Sequence, residues 1–418
     1  MNSPIAPGTW DVRRTRVVVV TVAAVALAAK AVLAASTRGP ADVRFFQGFA
    51  QAIADHDPVR VYALPLEHLP VYNHPPLAGW MLLGLHQLDA LGIPFGTLIR
   101  LPACLADFVT CLLVFEIVRH RATVRAAAAC ALGAALCPVL FATSGYHGNT
   151  DSVAVMFALA AAHLLADRDA PLAAGCAAAL SISVKLIPVV ALPLFFLAAW
   201  RLGGRAALTR LAAAFTGVFL LVWGPVLATV PGPLKAKVLE YAGGGYRLWG
   251  LVRFADQAGV PEPVIAFVRG DGHFLFVLAT TATGAWLAWR NPRALPVAVA
   301  TTLALLLLLS TASGLQYLAW PASALFVIGL WEGVGYGVVA GVLAALAYGG
   351  QHPTRWTGLE LGIGTAGWLV LAVGVASGLR AARPAPPAAP VPLIARPRTE
   401  ADAATASPRP QTPQGEPQ

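Results

Sequence analysis

The chain has 418 residues, of which 57% are hydrophobic and only 12% charged, with a mean hydropathy of +0.68. Soluble domains carry roughly 25% charged residues, so this composition excludes a soluble globular domain and indicates a polytopic membrane protein. The net charge of +9 lies in short basic clusters between apolar runs, where it acts as a topology signal, and this excludes a nucleic-acid partner.

The apolar runs are long enough to cross the hydrocarbon as helices and show no alternating strand pattern, so the expected fold is all-α. Residues 1–16 form a cytoplasmic N-terminus with Arg13, Arg14 and Arg16. The first span, 17–35, is interrupted by Lys30 and is followed by no small-residue cleavage site, so it is a retained helix and not a signal sequence. Arg119, Arg121 and Arg125, then Arg168, then Arg201, Arg205 and Arg210, then Arg290 and Arg293, and finally Arg380 and Arg383 are placed in the cytoplasm. The span 98–118 then enters from outside, which keeps a first outer loop, 36–97, on that face. Its stretch 75–91 is short and polar at Gln87 and Asp89, and is expected to lie along the outer interface.

Further spans follow at 124–143, 152–166, 171–183, 186–200 and 208–230. A large outer loop occupies 231–273, and the remaining spans are 274–289, 295–311, 318–330, 334–349 and 359–379, about twelve in all with both termini cytoplasmic. The membrane domain is thus 17–379, and the Pro- and Ala-rich tail 380–418 is expected to be disordered. Cys104, Cys111, Cys130, Cys137 and Cys176 all fall in apolar runs without metal-ligand spacing, and small-residue packing explains them.

This topology gathers Asp42, Tyr72, His74, His147, Asn149, Asp151, Lys185, Lys235, Lys237, Tyr241, Arg247, Trp249, Gln316 and Tyr317 on the outer face. Each has a bland alternative. Asp42 suits a helix N-cap, Tyr72 an aromatic anchor at the headgroups, and the turn from Gly145 to Asp151 is rich in ordinary turn residues. Lys185 interrupts an apolar run just before Pro188; an intramembrane lysine is costly, and snorkelling to the headgroups competes with a functional role. Gly243, Gly244 and Gly245 form a hinge or a close-approach backbone.

Asp42 with Phe45 and Phe46, the block Tyr72-Asn73-His74-Pro75-Pro76, the loop His147-Gly148-Asn149-Thr150-Asp151, the junction Lys185-Leu186-Ile187-Pro188 and the run from Gly314 to Pro321 occur in order over about residues 15–330. In type, order and spacing this set resembles the GT-C superfamily of polyprenyl-phosphate-sugar-dependent membrane glycosyltransferases. The Tyr72 block and the His147 loop are also similar to the dolichyl-phosphate-glucose-dependent glucosyltransferases of lipid-linked oligosaccharide assembly. The resemblance implies that Asp42 deprotonates an acceptor hydroxyl, which attacks the anomeric carbon of a lipid-phosphate sugar with inversion. The phosphate leaving group needs cations, for which Lys185, Arg247 and His74 are the candidates. Tyr72, His147, Asn149, Asp151, Gln316 and Tyr317 are the expected substrate-binding residues.

Relatives often carry a second acid beside the first-loop Asp, whereas here Ala41 and Val43 flank Asp42. No metal or other cofactor is therefore assigned. No soluble domain follows the last span, which favours a glycan, lipid-linked or cell-envelope acceptor over a large protein. The expected partners are a polyprenyl-phosphate sugar such as a mannosyl donor, that acceptor and the bilayer itself. The Ala-rich, Lys-poor composition suits a bacterial inner membrane with the site facing the periplasm. Two other readings remain at this stage: a secondary transporter or flippase of lipid-linked sugars, and a non-catalytic subunit of a glycan-assembly complex. Transporters commonly show internal repeats and broken helices near the midplane. Here no repeat is found, and the polar groups gather at helix ends.

Overall fold

The computed structural model describes residues 11–241, 248–312, 314–350 and 356–383. Among these residues every regular element is helical. Arg247, the Gly243–Gly245 triplet and the tail beyond Arg383 lie outside the described residues.

The first helix, Val12–Ser36, begins earlier than the apolar run because Asp11 caps it, accepting from the Arg13 amide at 2.9 Å. It packs on Leu101–Arg119, where the charge that interrupts it finds its reason. Lys30 Nζ meets Asp107 Oδ2 at 2.6 Å, with both side chains under 5% exposed. The expected spans 152–166, 171–183 and 295–311 appear as Asp151–Ala166, Pro171–Val184 and Leu295–Leu308. The spans 186–200 and 208–230 lie in Ile187–Ala191 and Leu192–Thr229, kinked at Gly203 and Gly204, where the second glycine takes φ of 60°. Among the described residues six helical stretches are long and apolar enough to cross a membrane, and Glu262–Arg269 with His273–Arg290 forms a bent pair at 54°.

Two spans are less regular than the sequence suggests. The expected helix 124–143 is Val124–Ala135, then a restart at Pro138, then a π-helical turn over Phe141–His147. The expected helix 318–330 is broken into Leu315–Leu318, Ala319–Ala322 and Leu325–Ile328 before extended Gly329. Pro138 and Pro321 lack the amide that a continuous helix needs.

The described helices share a large core built mostly from Ala, Val and Leu. The first outer loop builds a second, smaller core. Val43, Phe46, Phe49 and Ile53 of Ala41–Asp55 pack with Tyr62, Tyr72 and Leu82, and with Trp223 and Val226 of Leu192–Thr229. This sub-core seats Ala41–Asp55 on the helical ends, and with it Asp42.

Candidate active site

Asp42 lies in the first turn of Ala41–Asp55. The N-cap there is Pro40, with no side-chain cap bond, so the capping role does not occupy the carboxylate. Instead Asp42 Oδ2 accepts from His147 Nε2 at 3.0 Å. A carboxylate can only accept, so in the neutral imidazole Nε2 carries the hydrogen and Nδ1 accepts from the Tyr348 hydroxyl, 2.6 Å away. The Asp42 side chain is 40% exposed, whereas His147 is 5% exposed. The result is a carboxylate with one oxygen fixed from behind and the other open. Burial alone raises its pKa, but the His147 bond and the positive charge of Lys185 outweigh this and hold it below the usual carboxylate value.

His147 ends the π-helical turn, and Gly148 reverses the chain with φ of 82°, which favours glycine. Thr143 O accepts from the Gly148 amide at 3.0 Å and closes the turn. Asn149 donates to Asp151 Oδ2 and, at 3.4 Å, to the Gln316 carbonyl. Asp151 Oδ2 also accepts from Trp320 Nε1 at 3.0 Å, and Oδ1 faces Lys185 Nζ at 3.7 Å. Asp151, expected among the substrate-binding residues, is fully buried and faces Lys185 as its counterion.

Lys185 stands where the sequence expects a junction. Pro171–Val184 ends, Lys185 is extended, and Ile187–Ala191 begins a new turn through Pro188. Ser183 is held there by Trp223 Nε1 at 2.9 Å. Lys185 lines a cavity of about 220 Å³ together with Asn73, Tyr241, His273, Ser310, Tyr317 and Trp320. Tyr317 and Lys185 thus line the same cavity. Gln316 is partly exposed beside Tyr317, with its carbonyl tied to Asn149.

His74 and Tyr72 differ from expectation. Tyr72 is fully buried, ringed by Phe49, Tyr62 and His74, and its hydroxyl comes close to Gly79, where the missing side chain makes room. It is a core residue of the outer loop and not a substrate contact. His74 is 6% exposed, and burial, reinforced by the Lys185 charge, holds its pKa well below the usual imidazole value. A neutral ring supplies no cation.

Sequence reasoning passed over Tyr348, Trp320 as an Asp151 partner, His273 and Arg100. Tyr348 is 201 residues from His147 along the chain, and nothing local in its helix marks it. Among the described residues no three His, Cys, Asp or Glu side chains converge as a metal site.

The described site is thus a carboxylate held by an imidazole, together with a cavity lined by one lysine. Residues 73–228 match the family model described as dolichyl-phosphate-mannose-protein mannosyltransferase. Among solved structures the chain is similar to ArnT from Cupriavidus metallidurans in the apo state, with TM-score 0.50 and 15% identity over 87% of this chain and 76% of that one. The same protein bound to undecaprenyl phosphate aligns over the same shares with TM-score 0.49 and 16% identity. No curated protein matches the chain by sequence. The matched segment and the fold bear out the resemblance to the GT-C superfamily of membrane glycosyltransferases.

Proposed function

We propose that the protein is an inverting glycosyltransferase that moves a sugar from a polyprenyl-phosphate donor to a hydroxyl of a glycan, lipid-linked or cell-envelope acceptor at the outer face of the membrane. The observation that carries this reading is the Asp42 carboxylate, fixed through one oxygen by His147 and open at the other, beside the Lys185 cavity. The matching family's description names a polyprenyl-phosphate mannose, which makes mannose the first sugar to try.

The acceptor oxygen attacks the anomeric carbon from the face opposite the phosphate. Its proton passes to the open oxygen of Asp42 as the new C–O bond forms and the bond to the phosphate oxygen breaks. The leaving polyprenyl phosphate keeps the electron pair, and the Lys185 ammonium stabilises the added charge as a point cation. His147 keeps Asp42 in its carboxylate form until the proton arrives. Asp151 and Trp320 keep Lys185 directed at the cavity.

The test is transfer from short-chain polyprenyl-phosphate sugars by the protein in nanodiscs, with donor binding measured separately. Asp42→Asn is expected to bind donor normally and to lose transfer by about a hundredfold, the contribution of a positioned general base. Wild-type transfer rates in that variant overturn the assignment of the base. Donor movement across the bilayer without transfer, equal in both proteins, favours the flippase reading instead.

A further inference from the structure

Among the described residues Arg100 is the largest fully buried side chain. It precedes Leu101–Arg119, and its guanidinium hydrogen-bonds the C-terminal end of Val12–Ser36. Nη1 donates to Ala34 O at 2.7 Å and to the carbonyl and hydroxyl oxygens of Thr37 at 3.0 Å each. A cation there complements the exposed carbonyls and the dipole of that helix. Nε and Nη2 have no hydrogen-bond partner. A helix cap needs one donor group, and a lysine would supply it without burying two more.

The remainder of the side chain lies between two glycines. Gly39 has φ of 68°, and a Cβ there would overlap Arg100 Nη2; Gly148 has φ of 82°, and a Cβ there would come within 2.6 Å of Arg100 Cγ. Gly39 turns the chain into the helix that carries Asp42, and Gly148 turns it immediately after His147. Two left-handed turns on separate segments thus close on one side chain, Gly39 on its guanidinium and Gly148 on its stem. The hydrogen bond those turns present to each other is Asp42 to His147.

We propose that Arg100 is a positioning residue for this pair: with its guanidinium anchored on Thr37 and set against Gly39, and its stem set against Gly148, the side chain fixes the spacing that brings His147 Nε2 onto Asp42. The inference rests on the functional reading given above. The groups acting on Asp42 are His147 and Lys185, with the hydroxyls of Tyr317 and Tyr348 nearby; Arg100 is not one of them, so its effect reaches Asp42 through geometry.

The experiment compares Arg100→Lys, Arg100→Gln and Thr37→Val in the full chain, each alone and combined with His147→Asn. Arg100→Lys is expected to lower kcat about tenfold or more while the donor KM stays within about twofold, the signature of misplacement at the reacting centre. The acid limb of the pH–rate profile moves upward as Asp42 loses its imidazole donor. In the His147→Asn background the same substitution adds little, because both act on one bond. Equal losses in both backgrounds, or a lowered melting temperature with kcat and the acid limb unchanged, overturn the proposal and leave Arg100 a structural cap. If Arg100→Lys does not fold, Thr37→Val removes a single acceptor and reports the same shifts at smaller size. Nitrogen NMR of labelled histidine reads the His147 Nε2–H directly: Arg100→Lys and Asp42→Asn are expected to alter it alike, and an unaltered signal in Arg100→Lys also overturns the proposal. That measurement needs no turnover, so an absence of transfer in the wild type sinks the functional reading and leaves this one decidable.

Discussion

Lys185 and Asp151 show how one contact changes the roles of two residues. With its carboxylate closed in by Asn149, Trp320 and Lys185, Asp151 cannot stand in for Asp42 as a base. Lys185→Ala is expected to weaken donor binding and slow transfer. Lys185→Arg restores them only in part, because a broad planar guanidinium replaces a compact charge. Asp151→Asn is expected to weaken donor binding while leaving the acid limb set by Asp42 in place. A lysine that only snorkels predicts wild-type affinity and turnover for Lys185→Gln, and donor titrations of the three lysine variants decide the matter. His74 contributes to the pH dependence of stability. Its folded pKa lies below its unfolded value, so its contribution is complete above about pH 6.5 and is lost as pH falls through the folded value, the unfolded chain binding the proton first. Melting temperatures are expected to fall on acidification below that point, and to fall less in His74→Phe. Lys185 stood out in the sequence because it interrupts an apolar run where a membrane tolerates charge poorly, and Asp42 and the His147 loop because they gather polar groups at the ends of such runs. Tyr348 and Arg100 did not, since a tyrosine at a helix end and an arginine at a membrane edge have ordinary local explanations.

Among the elements, the π-helical turn Phe141–His147 meets constraints from two sides. Beneath it, the stem of Lys30 packs at Gly145, and the ammonium stands 5.1 Å over the Phe141 ring while paired with Asp107. Beside it, Gly337 and Gly341 of Leu330–Gly349 face Cys137 and Pro138 so closely that a Cβ at Gly341 would come within 2.6 Å of Pro138. This spacing of small residues lets two helices touch backbone to backbone, and it delivers Tyr348 to His147. Gly341→Val is therefore expected to lower turnover by moving Tyr348 off His147, with donor affinity at Lys185 unchanged. Lys30→Met leaves the Asp107 carboxylate buried without a partner, and is expected to cost about 3–5 kcal/mol, whereas Lys30→Met with Asp107→Leu recovers much of it. Unfolding in detergent measures both. The helix lengths followed from apolar runs, but the π-turn and the broken segment 315–328 did not. Their local cue is a proline in an apolar run, and a proline can start a helix, kink it or end it; neighbouring helices settle which.

Across the whole molecule, Leu101–Arg119 links the two ends of the bundle: Arg100 lies beneath the site, and 19 residues on the chain reaches the opposite end, roughly 28 Å away at 1.5 Å per residue. There Arg121 grips Asp167 at 2.7 Å and the Arg293 carbonyl at 2.9 Å, while His163 bonds Asp167 at 2.8 Å, tying three connections together. The Arg201 guanidinium covers the Trp289 ring at 4.7 Å and that of Arg290 the Trp286 ring at 5.2 Å. Tryptophans partly exposed beside arginines are what a membrane boundary on the positive side requires, so this end is expected in the cytoplasm and the Asp42 end outside. The outer loop then rests on the bundle with Trp80, Leu88 and Leu91 exposed on and just after Pro76–Asp89, an apolar surface suited to the headgroup boundary. Single cysteines at the exposed positions Gln51 and Arg205, in a protein freed of its native cysteines, separate the two orientations. An impermeant maleimide is expected to label position 51 in intact cells and position 205 only after permeabilisation. The reverse pattern would place Asp42, His147 and Lys185 in the cytoplasm, where the basic clusters would stand on the wrong side of every helix between them.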